Sequence, residues 1–152
     1  IKSSELIKQL KQIVSLSNQK ILSKLDGTKK SKIKNLPKLE DAIWAGHKSK
    51  SKECTLILTE GDSAKAMAMA GMAIVGRQKF GVFPLKGKIL NVKDPSNQKK
   101  LPENSEVNSI KKALGLQSGK EYKNVEDLRY GKILIMADQD EDGTHIKGLV
   151  FK

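Results

Sequence analysis

Ile133-Leu-Ile-Met-Ala-Asp138-Gln-Asp140-Glu-Asp142-Gly143 decides how this chain folds. A short apolar run bounded by charge and glycine reads as a buried strand, and the alternate carboxylates that follow fall at that strand's carboxyl end. Carboxylates so close together repel, so a chain that keeps them there needs a cation or another compensating positive charge beside them.

Hard divalent ions meet that need, and Mg²⁺ takes one or two protein carboxylates together with phosphate oxygens and water, which points toward a phosphate substrate. A calcium-binding EF-hand loop opens with the same letters, but its twelfth position requires a glutamate, and Leu149 stands there. A solvated acidic turn with no ion is the plain alternative.

Working outward, apolar strands alternate with helical segments from Cys54 onward. Cys54 to Thr59 and Phe80 to Leu85 read as strands, Ser63 to Val75 and Asn104 to Leu114 as helices, and Ile133 to Ala137 as the last strand. Asn104 or Ser105 is the expected cap of its helix, and Asp62 or Ser63 of the earlier one. This order predicts an α/β fold with a parallel sheet flanked by helices on both faces, whose ligand site lies at the carboxyl ends of the strands. Glu60 closes the first strand and Asp138 follows the last, so two acids distant in sequence are expected to meet in space.

Upstream, Leu6, Leu10, Ile13, Val14, Ile21, Leu22 and Leu25 recur at three- and four-residue steps, which predicts an amphipathic helix over residues 3–25. Asp26-Gly27-Thr28 is expected to end it, with Gly27 in a left-handed stop. Lys29 to Pro37 then reads as a basic connector and Ser49 to Lys52 as a polar loop.

The net charge of +12 is distributed unevenly. Residues 1–52 hold thirteen lysines against four acids, a net of +9, and the aspartate cluster lies in the part that carries the remaining +3. Lysine-rich surfaces attract polyanions through phosphate contacts and counterion release, without reading sequence, although the same surface also serves solubility. A mean hydropathy of −0.46 and the absence of an apolar run near twenty residues argue against a membrane span. The single cysteine, Cys54, excludes an internal disulfide and is expected as a small core residue.

Gly61-Asp62-Ser63-Ala64-Lys65 sits between strand and helix as a nucleophile elbow does, but Lys65 replaces the second glycine of that motif. Ser63 therefore reads as a cap. His47 and His145 read as surface or helix-start residues.

Five segments in order carry a resemblance: Pro37 to Ala42, Leu56 to Ala64 with Glu60-Gly-Asp-Ser, Pro84-Leu-Lys-Gly-Lys-Ile-Leu-Asn-Val92, Leu128-Arg-Tyr-Gly131 and Met136 to Gly143. Together they resemble the Toprim region of type II, ATP-hydrolysing DNA topoisomerases of the eukaryotic or large-DNA-virus type, over about residues 33–152. The resemblance implies a Rossmann-like Toprim fold and an enzyme that cleaves and religates duplex DNA through a phosphotyrosine to change its topology. It implies catalytic Glu60, Asp138 and Asp140; Mg²⁺ on Glu60, Asp138, Asp140 and Asp142, with Mn²⁺ or Ca²⁺ as substitutes; and DNA contacts from Lys86, Lys88 and Asn91. Family members often carry arginine at the position of Lys86.

The same resemblance divides the chain into residues 1–28, the end of a connector helix; 29–52, a basic linker segment; and 53–152, the Toprim domain. Neither a tyrosine at the family's nucleophile position nor the ATP-binding domain is found here. Tyr122 and Tyr130 read as packing residues. The expected partners are double-stranded DNA, the other domains of the same enzyme and a second copy in a full-length homodimer, with no membrane. A nuclear location is implied, with a viral replication site in the cytoplasm or an organelle as alternatives. The rival functions are another Toprim enzyme, a primase or nuclease, and a non-enzymatic basic DNA-binding module.

Overall fold

The computed structural model describes residues 8, 12, 15, 16, 19–21, 23, 26–28, 33, 36–97 and 100–151. Three parallel strands, β1 (Thr55–Glu60), β2 (Phe80–Leu85) and β3 (Lys132–Met136), pair in the order β2-β1-β3. The register sets Thr55 against Phe80 on one side and against Lys132 on the other. Helices α1 (Gly61–Val75), α2 (Ser105–Leu114) and α3 (Glu141–Val150) accompany them.

Central placement explains the composition of β1. Its alternate residues face opposite sides, so both sets must be apolar. Ile57 and Val82 pack under Ala68 and Met72 of α1, while Leu56, Leu58, Phe83 and Leu85 join Ala113, Leu114, Ile146 and Leu149 of α2 and α3. The sheet is thus covered on both faces, as the alternation of strands and helices predicts.

The strand before the aspartates departs from expectation. It is an edge strand and not a fully buried one: Ile133 and Leu134 are each 47% exposed, and its outer side carries no strand among the described residues. An apolar run cannot distinguish a central strand from an edge strand, because the distinction depends on which other segments pair with it.

The opposite edge is closed. Glu40 and Val82 exchange both backbone hydrogen bonds, at 2.9 and 2.8 Å, in an isolated antiparallel bridge. Backbone groups two residues apart point the same way, so the missing N–H of Pro84 falls on this outer side, where an edge strand tolerates proline. Ala42 and Ala45, from the stretch read as a linker, sit in the main core, as does Cys54.

Asp41 anchors that upstream segment. Its carboxylate accepts from the Arg129 guanidinium and the Tyr130 hydroxyl, while the Tyr130 oxygen accepts from the Ala42 amide at 3.0 Å. Arg129 is fully buried and also donates to the Ala113 carbonyl at 2.8 Å. Burial, followed by the Asp41 charge, pushes the Tyr130 hydroxyl far above its ordinary range.

Lys8, Gln12, Ser15, Leu16, Gln19, Lys20, Ile21 and Ser23 are helical, and the other residues of the 3–25 helix lie outside the described ones, as do Lys29, Lys30, Ser31, Lys32, Lys34 and Asn35 of the basic connector. Gly27 corrects its expected role, for it has no left-handed φ. A Cβ there would stand 2.6 Å from the Lys111 carbonyl, so the position serves close approach to the end of α2. Its amide donates to Leu116, and Asp26 accepts from Ser118 and from Lys111 at 3.0 Å. No helix among the described residues is long and apolar enough to cross a membrane.

Candidate functional site

Two chain reversals build the site, and glycine governs both. At the first, β1 runs into α1 without a loop: Glu60 is the last strand residue and the N-cap, and Gly61 turns the chain at φ +79°. Such a φ strains any residue with a Cβ. The helix starts two residues earlier than expected, so Asp62 and Ser63 lie inside it, and no side chain caps it. Glu60 is thereby held at the mouth of the sheet with its carboxylate free to reach sideways.

At the second, Asp140 caps α3 by accepting the Gly143 amide at 2.7 Å. This satisfies one of the orphan amides of the first turn and contributes about 1 kcal/mol to the helix. Gly143 is buried, and a Cβ on it would lie 2.0 Å from the Asp138 carbonyl oxygen. Only glycine lets the helix start so close beneath the aspartate turn.

The two reversals meet where the Asp138 amide donates to the Glu60 Oε2 at 3.0 Å. Asp142 points elsewhere, to the Lys88 ammonium at 2.8 Å. That bond holds the Asp142 carboxyl below its usual range and raises Lys88 above its own. Glu60 and Asp138 therefore come together, whereas Asp140 is turned toward Gly143 and Asp142 toward the β2 loop. Among the described residues, no three acids or other ligating side chains converge on one point.

The chemistry of these donors, carboxylate oxygen throughout, is of the kind that hard divalent cations take. Glu60 and the aspartates of the turn after β3 are hard oxygen donors that stand at the carboxyl ends of parallel strands, and Mg²⁺ takes one or two protein carboxylates and fills its octahedron from water and phosphate. A closed cage of protein ligands is not what that ion requires.

Lys86, Lys88 and Asn91 share the loop after β2. Lys86 and Lys88 are exposed, while Leu85 and Ile89 are buried on either side and fix the loop's base. The Lys86 amide donates to the Glu106 Oε1 at 2.7 Å, so α2 steadies the loop through its first turn. Sequence reasoning missed Glu106; its place in the first turn of a capped helix is the available signal. Asn91 is half-buried and spends its side-chain oxygen on the Lys93 amide at 3.3 Å. His145 is exposed and lines a shallow groove with Gln139, Asp140, Glu141 and Thr144; His47 is exposed in a turn. Tyr130 is a core residue, and the Tyr122 oxygen accepts from the Gln117 amide at 2.8 Å.

Comparison with known proteins places this geometry. The profile of the Toprim domain matches residues 55–152. DNA topoisomerase 2 of Pisum sativum is 53% identical over 150 residues, 99% of this chain and 10% of the relative. That of Saccharomyces cerevisiae is 50% identical over 150 residues, again 99% of this chain and 10% of the relative. A crystal structure of the Plasmodium falciparum topoisomerase II DNA-binding, cleavage and re-ligation domain is similar at a TM-score of 0.75 and 54% identity, covering 80% of this chain and 17% of that one. The chain spans about a tenth of the length of the curated relatives it matches. Matched by the Toprim profile over residues 55–152 and by relatives at 50–53% identity across 99% of its length, the chain belongs to the Toprim domain family, with DNA topoisomerase 2 of eukaryotes among its similar members.

Proposed function

We propose that this chain is the Mg²⁺-binding Toprim part of a type II DNA topoisomerase, in which a tyrosine on another domain attacks a DNA phosphate and is later released. The observation that carries the reading is the bond from the Asp138 backbone amide to the Glu60 carboxylate, which ties the turn after β3 to the end of β1 at one mouth of the sheet. Similarity to DNA topoisomerase 2 across 99% of this chain supports it.

Glu60, Asp138 and Asp140 are the catalytic carboxylates of this reading, with Asp142 a further metal ligand. A bound divalent ion would orient the phosphate and stabilise charge on the attacking and leaving oxygens. Glu60 sits at the end of a central strand, so its carboxylate is positioned before substrate arrives, and it is the residue placed to exchange a proton with the leaving ribose hydroxyl. Lys86, Lys88 and Asn91 hold the DNA backbone; ammonium and amide groups position phosphates without demanding a base. ATP use and homodimer formation belong to other domains of the same protein, and the location is nuclear.

The test is Mn²⁺ titration by calorimetry of wild type, Glu60→Gln and Asp138→Asn. Both substitutions should weaken the same binding event by about tenfold or more, the cost of one charged ligand. Equal affinity without Glu60 would leave the aspartate turn acting alone and defeat the shared site. In the complete enzyme, Asp138→Ala should abolish DNA cleavage.

A further inference from the structure

Lys88 and Asp142 have both been given outward tasks, one toward DNA and the other toward a metal ion. In the structure they hold each other, Nζ to Oδ1 at 2.8 Å. We propose that Lys88 is an internal counter-ion of the acidic turn, which exchanges Asp142 for a DNA phosphate when a divalent cation takes that carboxylate, so that metal and DNA each favour the other's binding. The inference rests on the Toprim reading above and adds a coupling to it.

Three features make the exchange physical. First, the pair is exposed, with the Lys88 and Asp142 side chains 54% and 63% accessible, and a pair of this kind is held weakly enough to open. A buried pair would not let go. Second, the bases are fixed while the tips are not: Lys88 stands between buried Leu85 and Ile89, and Asp142 in the first turn of α3, so the flexible lysine stem does the moving. Third, Asp142 is not consumed by the helix, because Asp140 supplies the cap.

While the pair is closed, Asp142 offers a cation less negative charge and Lys88 offers a phosphate less positive charge. Either ligand must break the pair to gain its residue. Whichever binds first therefore releases the group that the other needs, and by linkage the gain is equal in both directions.

Calorimetric titration with Mn²⁺ and fluorescence anisotropy of a short labelled duplex, on the 152-residue chain, test this. Without DNA, Lys88→Gln should tighten Mn²⁺ binding about two- to fivefold, the range set by an exposed pair. Without metal, Asp142→Asn should tighten DNA binding by a similar factor, and by less in a Lys88→Gln background. Mg²⁺ should raise the DNA affinity of wild type more than that of Lys88→Gln, and Lys88→Arg should keep the difference. Unchanged or weaker Mn²⁺ binding in Lys88→Gln, or an Asp142→Asn effect of the same size in both backgrounds, overturns the coupling. If Glu60→Gln loses Mn²⁺ while Lys88→Gln behaves as wild type, the exchange fails and the Toprim reading stands. If wild type binds no Mn²⁺, both fall.

Discussion

The backbone amide of Asp138 donates to the side chain of Glu60 across 78 positions of sequence, at 3.0 Å. A carboxylate from the central strand thus sets the height of the turn that follows the edge strand. Removing it with Glu60→Ala should speed hydrogen exchange at the Asp138 amide about fivefold, the share of one modest hydrogen bond, with the core amides of β1 unchanged. NMR-detected exchange reads this directly; uniform speeding along β1 would mean general destabilisation.

Gly143 offers a way to disturb the aspartate turn without removing a carboxylate. Gly143→Ala places a Cβ 2.0 Å from the Asp138 oxygen, so the turn or the helix must shift, at a cost of about 1–3 kcal/mol. Metal affinity should fall although every acid remains. Gly148→Ala, in the same helix with open space around it, should instead stabilise by about 0.5–1 kcal/mol. Urea denaturation and Mn²⁺ titration of the two variants separate strain from a general effect of alanine.

The Asp41 anchor predicts a large loss from a small change. Asp41→Ala withdraws one carboxylate from both the Tyr130 hydroxyl and the buried Arg129, and breaking a buried ion pair from one side costs about 3–5 kcal/mol. Tyr130→Phe, which removes only the hydroxyl, should cost about 1–3 kcal/mol. Denaturation midpoints at constant m-value check the order; equal costs would assign the anchor to Tyr130 alone.

Asp26 makes acid stability a measurable property of the upstream seam. Burial raises its carboxyl, but the Ser118 and Lys111 bonds outweigh that and hold it below the ordinary carboxylate range. A carboxyl depressed in the folded state contributes stability above its unfolded value and loses it as pH falls through the folded value. Thermal melts should therefore show wild type losing more stability below its ordinary carboxyl range than Asp26→Asn, with the gap between them widest at neutral pH.

The strands, α2 with its Asn104 cap and the meeting of Glu60 with Asp138 were legible because each rests on a local pattern: apolar alternation, a cap residue, or the rule that loops gather at the carboxyl ends of parallel strands. Boundaries moved by one or two residues, as at α1, where Gly61 could begin a helix only by taking a left-handed φ that composition alone does not announce. Three relationships stayed hidden for a common reason. Asp41 with Arg129, Lys88 with Asp142, and Gly27 with the end of α2 pair residues tens of positions apart in segments with no periodicity to align them. The edge position of β3 was illegible for the complementary reason, since it is a property of the neighbours and not of the strand.

That edge also bears on how the chain behaves in the tube. Among the described residues no strand pairs with the outer side of β3, which lies beside the half-exposed Ile133 and Leu134, and an open strand edge of this kind is a template for another extended segment, including the same strand of a second molecule. Crowded solutions will favour sheet-to-sheet association, and the aspartates just past that strand will report it. Heat evolved in a concentrated titration then mixes assembly with ligation, so dilution is the variable that separates them.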